Sequence, residues 1–289
     1  MTIPCSRAQA EAAPQPEEIF ADGSTVVIVT DEPEPSEPDE WLLHAYFERE
    51  PKESELQLLA GLGRGEPQVE QLGEADWLTM SQSGMQPIRA GRFFVHTPMC
   101  RSHPPGTIAF EIEAGLAFGT GQHATTAGCL EALDKLERDG SRFANIADIG
   151  TGTGLLAFAA LALWPDARCI ATDIDPVAID VARENAAINQ VRVGHGAGEL
   201  LLAHAEGTDS PMLSARAPFD LIVANILAGP LVELAPSFAA ELAPGGVVIL
   251  AGLLDKQADA VAAAYRKQGL GVLDRGSGEW PVLVCERPA

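Results

Sequence analysis

The chain is poor in positive charge: across 289 residues, 19 Lys and Arg face 41 Asp and Glu, a formal charge of −22. A surface that grips a phosphate backbone needs a positive footprint. Direct nucleic-acid binding is therefore not expected, and a basic partner, or none, is. Long apolar runs are missing too. None approaches the roughly 18 residues of a bilayer-spanning helix, so no membrane association is expected. The five cysteines, Cys5, Cys100, Cys129, Cys169 and Cys285, are odd in number and scattered, with no C-x-x-C pair. That pattern gives neither a disulfide frame nor a metal site, and the thiols are expected to be reduced and mostly buried. The opening MTIPCSRAQAEAAPQ has no basic patch leading into an apolar stretch. A signal peptide is not expected there, and the protein is placed in the cytoplasm. Internal repeats are lacking, and the only compositionally biased stretch is the acidic, Pro-rich DEPEPSEPD.

What is present is ordinary for a packed globule: 46% hydrophobic and 21% charged residues, in a length that suits one large domain or two smaller ones. Near the start, MTIPC, STVVIVT and EWLLHAYFE have strand composition. SRAQAEAAPQPEEIF and ESELQLLAGL read as helices, and PQVEQL closes the series as a strand. The resulting order β-α-β-β-α-β is the ferredoxin-like, split-βαβ pattern. A stretch with little periodicity follows, DWLTMSQSGMQPIRAGRFFVHTPMCRSHPPG, read as a connector holding one isolated strand, GRFFVHT. Then come apolar runs of strand length, ANIADIG, RCIATDID, FDLIVANI and GGVVILAGL, with helical segments between several of them. Such runs indicate a parallel sheet buried on both faces. The final GLGVLDRGSGEWPVLVCERP reads as two more strands without a helix between them, so an antiparallel pair is expected to close the sheet.

Four segments carry chemistry. The first is Asp148-Ile149-Gly150-Thr151-Gly152-Thr153-Gly154, between a strand and the helix LLAFAALAL. Glycines there allow a tight turn and close backbone approach, and the helix start offers free N–H groups. A dinucleotide fingerprint would need G-x-G-x-x-G, but Leu155 holds its last position. A pyrophosphate beside Asp148 would meet like charge, whereas the cationic S-adenosylmethionine would not. The second is Asp173, at the next strand end, where a carboxylate accepts both hydroxyls of a ribose. Its neighbour Asp175 precedes Pro176 and reads as a helix cap. The third is Asn225, after the fourth strand, a neutral amide able to accept from an amine without holding it as ammonium; an Asx turn is the alternative. The fourth, the loop from Ala117 to Thr126, contains Phe118 and His123. Either Thr125 or Thr126 also reads as a plain N-cap.

Together the segments point to a class I S-adenosylmethionine-dependent methyltransferase. GLAFGTGQHATT, DIGTGTGLLAFAA, DIDPVAIDVARENAAIN and VANILAGPL resemble, in order and spacing, the bacterial ribosomal-protein L11 methyltransferase family, PrmA. The resemblance implies a Rossmann-like methyltransferase domain with a mostly parallel seven-stranded sheet (residues 109–289). A small α+β ferredoxin-like substrate-recognition domain (1–76) and a connector (77–108) precede it. It further implies S-adenosyl-L-methionine as cofactor, with Thr126, Gly150, Asp173 and Asn225 in contact with it and Phe118 close by; the residues themselves add Asp148 and Gly152 to the cofactor site and make Asn225, orienting the amine, the expected catalytic residue. The implied substrate is large-subunit ribosomal protein L11, methylated on lysine ε-amines and an N-terminal amine by a monomer. One departure is Glu113-Ala114-Gly115, where Asp-Pro-Gly is usual in the family. Two rival readings remain: a methyltransferase acting on another protein or an RNA base, and a binding module that keeps only the cofactor pocket. Against the first, the run Asn225-Ile226-Leu227-Ala228 lacks the Pro-Pro-aromatic sequence that amide- and base-methylating enzymes resemble one another in. The charge divides evenly, −11 for residues 1–108 (7 basic, 18 acidic) and −11 for residues 109–289 (12 basic, 23 acidic), so the shorter part is the denser. That acidity either serves solubility or draws in a basic protein.

Overall fold

The computed structural model describes residues 1–11, 26–31, 41–47, 49–64, 67–70, 87–98, 100, 103–112 and 122–289. Outside them lie the acidic run 32–40, the segment Glu113-Ala114-Gly115 and the loop holding Phe118. The chain divides into two compact units, residues 1–78 and 79–289.

The first unit holds β1 (Thr2–Cys5), α1 (Arg7–Glu11), β2 (Val26–Asp31), β3 (Trp41–Phe47) and α2 (Glu53–Ala60). Strand β3 lies between β1 and β2 and is antiparallel to both. Its inward residues Leu43 and Ala45 pack with Ile3, Cys5, Val26 and Leu59. The expected closing strand is reduced to one antiparallel bridge, in which Thr2 and Gln68 exchange backbone hydrogen bonds of 2.8 and 2.9 Å. It lies against β1, the side that a split-βαβ order requires. Gln71 and Leu72 of PQVEQL are outside the described residues.

The second unit opens with β4 (Ile88–Ala90), β5 (Phe93–His96) and β6 (Ile108–Glu111). GRFFVHT is therefore not isolated: β5 is the middle of a three-stranded sheet, antiparallel to β4 and parallel to β6. Its Phe93 and Val95 join the main core, so tertiary burial, not local periodicity, makes it a strand. Next come α3 (Gln122–Arg138), β7 (Asn145–Ile149), α4 (Leu155–Leu163), β8 (Arg168–Asp173), α5 (Pro176–Ile188) and β9 (Leu200–His204). They are followed by α6 (Pro211–Arg216), β10 (Phe219–Asn225), α7 (Ala228–Glu233), α8 (Ala235–Glu241), β11 (Leu242–Ala251), α9 (Asp255–Lys267), β12 (Gly271–Asp274) and β13 (Leu283–Glu286).

Seven strands form one sheet in the order β12-β13-β11-β10-β7-β8-β9, and only the pairs made by β13 are antiparallel. The apolar runs explain this topology. Ile146, Leu221, Val223 and Ile249 feed the core on one face, and Ala147, Ile222, Ala224 and Leu250 the core on the other. Both faces are covered, as a parallel sheet demands. Helix α4 is apolar nearly all round, with eight of its nine residues buried, which marks an interior helix. Strand β9 is not among the expected strands. Its sequence, LLLAH, is as compatible with a helix as with a strand, and pairing along β8 decides the matter.

Candidate active site

The sheet reverses its order at β7: β8 and β9 lie on one side, β10 and β11 on the other. Connections diverge there, and the crevice outside the carboxyl ends is where open α/β sheets bind ligands. Asp148 is the penultimate residue of β7, Asp173 the last of β8 and Asn225 the last of β10. Asp148 is level with Ala171 and Val223 on the flanking strands. Three polar residues far apart in sequence are thus brought to one end of three adjacent strands.

After β7 the chain turns through residues 150–154. Gly150, Gly152 and Gly154 have φ of 75°, 55° and 87°, values that side chains rarely tolerate. The turn is tied to β8, because the N–H groups of Gly150 and Thr151 both donate to the Thr172 carbonyl, at 2.8 and 2.9 Å. A Cβ on Gly154 would fall 2.5 Å from the Phe158 ring, whereas one on Gly152 would meet nothing within 4 Å. The turn is therefore packed at its end and open at its middle. Asp173 fastens that middle: its Oδ2 accepts from the Gly152 N–H at 2.8 Å and its Oδ1 from the Asp175 N–H at 3.0 Å. Asp175 itself caps α5, accepting from the Val177 N–H at 2.9 Å.

Asp148 is 1% exposed. Its Oδ2 accepts from the Thr151 hydroxyl at 2.6 Å and the Ala157 N–H at 3.1 Å. Its Oδ1 is buried with no partner among the described residues. Burial pushes the carboxyl up to about 6 from an ordinary value of 3.8; the two hydrogen bonds oppose the rise and Asp173 adds to it. The buried thiols of Cys129 and Cys169 are also raised, by burial first and then by Asp148. Protonated thiols of this kind are poor nucleophiles.

Thr126 meets Asn225 directly: the amide Nδ2 donates to the threonine hydroxyl at 3.4 Å. Helix α3 begins at Gln122, so Thr125 and Thr126 lie inside its first turns and neither is its N-cap. Phe118 is outside the described residues. One polar residue at the turn is singled out by no motif. Asn185, 1% exposed, donates through Nδ2 to the Thr153 carbonyl at 3.1 Å. Its signal is present in RENAAIN, where two asparagines recur at one helical turn's spacing.

A family profile described as "Ribosomal protein L11 methyltransferase (PrmA)" matches residues 9–288. The chain belongs to this family. A ribosomal protein L11 methyltransferase of Brucella suis is 47% identical over 255 residues, spanning 88% of this chain and 86% of that protein. One of Mesorhizobium japonicum is 48% identical over 211 residues, spanning 72% and 70%. The crystal structure of a ribosomal protein L11 methylase from Lactobacillus delbrueckii subsp. bulgaricus matches with a TM-score of 0.60 at 28% identity, covering 71% of this chain and 100% of that one. The seven-stranded sheet is the Rossmann-like fold of class I methyltransferases. This PrmA family member is an S-adenosylmethionine-dependent methyltransferase.

Proposed function

We propose that the protein transfers methyl groups from S-adenosylmethionine to lysine side-chain amines and the N-terminal amine of ribosomal protein L11. Phe118, Thr126, Asp148, Gly150, Gly152, Asp173 and Asn225 are assigned to the cofactor, with Asn225 also at the reacting amine. One observation carries the reading. A buried carboxylate with one oxygen unpartnered among the described residues, a strand-end carboxylate and a neutral amide converge around a glycine turn.

The chemistry of these groups suits the cofactor, which when bound supplies a methyl group on a positively charged sulfur. Asp148 and Asp173 put negative charge where a sulfonium and an ammonium are to be held, and where a pyrophosphate would be repelled. Asp173 spends two of its roughly four acceptor positions on backbone N–H groups and keeps the rest for ribose hydroxyls. The open middle of the turn, at Gly152, leaves room for close approach.

Asn225 acts on the amine. Its Nδ2 is committed to Thr126, which leaves Oδ1 to accept an amine N–H and aim the nitrogen lone pair at the methyl carbon. A lysine amine titrates near 10.4 and must lose its proton before it attacks. A carboxylate at this position would hold the amine as ammonium, whereas a neutral amide in a partly desolvated site favours the free base. The departing thioether needs no proton, so positioning carries the catalysis and no dedicated general base is required.

The L11 substrate is supported by the names of the relatives and by the formal charge of −22, which favours a basic protein over RNA. Residues 1–76 are proposed as the substrate-recognition domain, 77–108 as a connector and 109–289 as the catalytic domain. The enzyme is proposed to work as a cytoplasmic monomer without touching nucleic acid directly. Among the described residues, no helix is long and apolar enough to cross a membrane. The test is incubation with S-adenosylmethionine and unmethylated ribosomal protein L11, read by intact mass. Stepwise gains of single methyl groups on L11 are expected. Their absence, with transfer to ribosomal RNA instead, would overturn the substrate assignment.

A further inference from the structure

Asn185 lies on the buried face of α5, the helix that begins just after Asp173, and Asn189, four residues on, is the C-cap of that helix. Strand β6 is the edge of its sheet. There the N–H groups of Ile108 and Ile112 reach across to β5, so the polar backbone groups of the intervening Glu111 face the other way. Asn189 stands where a further strand would. Its Oδ1 accepts from the Glu111 N–H at 2.8 Å, and its Nδ2 donates to the Glu111 carbonyl at 2.7 Å. The same Nδ2 donates to the Asn185 carbonyl at 2.9 Å.

Asn185 meets the glycine turn in an equally specific way. The Ala157 N–H lies in the first turn of α4, where the helix itself offers it no acceptor. It donates to Asp148 at 3.1 Å, while the Thr153 carbonyl, just ahead of the helix, receives the Asn185 amide at 3.1 Å. The carbonyl lies in a buried setting, with Thr153 9% and Asn185 1% exposed, where an unpaired polar group is costly. Ala182, one turn earlier on the same face, is small enough for Gly154 to pass close to it.

We infer that Asn185 and Asn189 are positioning residues for the methyl-donor site: Asn185 holds the glycine turn in its ligand-ready shape, and Asn189 fixes α5 to β6 so that Asn185 is held in place. Neither is a catalytic residue; both act through the backbone of residues 150–154. The inference rests on the proposed use of that turn to bind S-adenosylmethionine. It predicts a loss in cofactor affinity rather than in the chemical step.

The experiment measures binding of S-adenosylhomocysteine by calorimetry, alongside KM for S-adenosylmethionine and kcat. Asn185→Ala and the near-isosteric Asn189→Asp, which keeps an acceptor for Glu111 but loses the donor, are compared with Asn145→Ala. Asn145 is also a buried amide, 7% exposed, and donates to the carbonyls of Arg216 and Pro218 at 2.6 and 2.8 Å. It begins β7, at the end of the strand away from the turn. Weakening by about 5- to 10-fold is expected in the affinity of each α5 variant, the value of one lost hydrogen bond. Their kcat at saturating cofactor should stay within about 2-fold of wild type, as for loss of binding alone. Asn145→Ala should lose thermal stability with its affinity unchanged. Wild-type affinity in both α5 variants, or equal weakening in Asn145→Ala, would overturn the positioning role. Failure of the wild type to bind S-adenosylhomocysteine would overturn the cofactor reading and this inference with it.

Discussion

Replacing Asp148 by Asn should stabilise the protein near neutral pH, by an amount that depends on pH in a calculable way. The carboxyl is raised from 3.8 to about 6 in the folded protein, with burial as the main cause. A group whose folded value lies above its unfolded value binds its proton more tightly when folded. It therefore removes stability as pH rises from about 3.8 through about 6. At roughly 1.4 kcal/mol per pKa unit, the ionised carboxylate costs about 3 kcal/mol at pH near 7.5 and about half as much at pH near 5. The amide that replaces it does not ionise. It offers an oxygen to Thr151 and Ala157, as the Asp148 carboxylate does, and whatever its NH2 group loses is the same at both pH values. Groups that titrate alike in the two proteins cancel. The stability of Asp148→Asn relative to wild type should thus rise by about 1–2 kcal/mol between those two conditions. Urea unfolding of both proteins without cofactor measures it. A difference that is independent of pH, or that falls toward neutrality, would refute the reasoning. The same substitution should weaken binding of the cationic cofactor, since a carboxylate that costs stability is retained for its charge.

Other substitutions separate the remaining roles. Asn225→Ala, at saturating cofactor, should lower kcat by about 10- to 100-fold by releasing the amine from its alignment; full turnover in steady-state assays would remove Asn225 from the mechanism. Gly154→Val should cost about 2–4 kcal/mol in thermal denaturation, because it places a branched side chain at φ 87° against the Phe158 ring. Asp134 is buried in α3 and pairs with Arg92 and Arg138. Asp134→Ala should lose about 2–3 kcal/mol by urea unfolding, since both cations lose a desolvated partner. Raising salt from about 0.05 to about 0.5 M should increase KM for ribosomal protein L11 several-fold and leave KM for S-adenosylmethionine unchanged, if acidity draws in the substrate.

Legibility in the sequence followed the range of the physical cause. The four apolar strands were readable because burial on both faces leaves unbroken apolar runs, and the closing pair because no helix-length segment separates the exposed β12 from the buried β13. The turn at residues 150–154 was readable because positive φ restricts the residue type, and Asp175 because capping chemistry is local. Strand β9 was not readable, since Leu and Ala suit a helix equally well. The sheet of β4, β5 and β6 was missed for a related reason: β6 pairs with β5 only after a crossover, and no periodicity within PIRAGRFFVHT announces that partner. Thr125 and Thr126 looked like caps because the helix start was sought at the first hydroxyl, whereas α3 starts upstream.

The sequence by itself therefore determined the fold class, the glycine turn, the acidic balance and the short list of polar residues at strand ends, because each is written in residues close together. Only the tertiary structure decided that Asp148, Asp173 and Asn225 share one crevice, because the reversal of strand order at β7 is a long-range choice. It alone buried Asp148, and so raised its pKa, and left one of its oxygens without a partner among the described residues. It also gave Asn185 its partner, since an asparagine on a helix face is polar anywhere, and only packing against residues 150–154 places the Thr153 carbonyl in front of it.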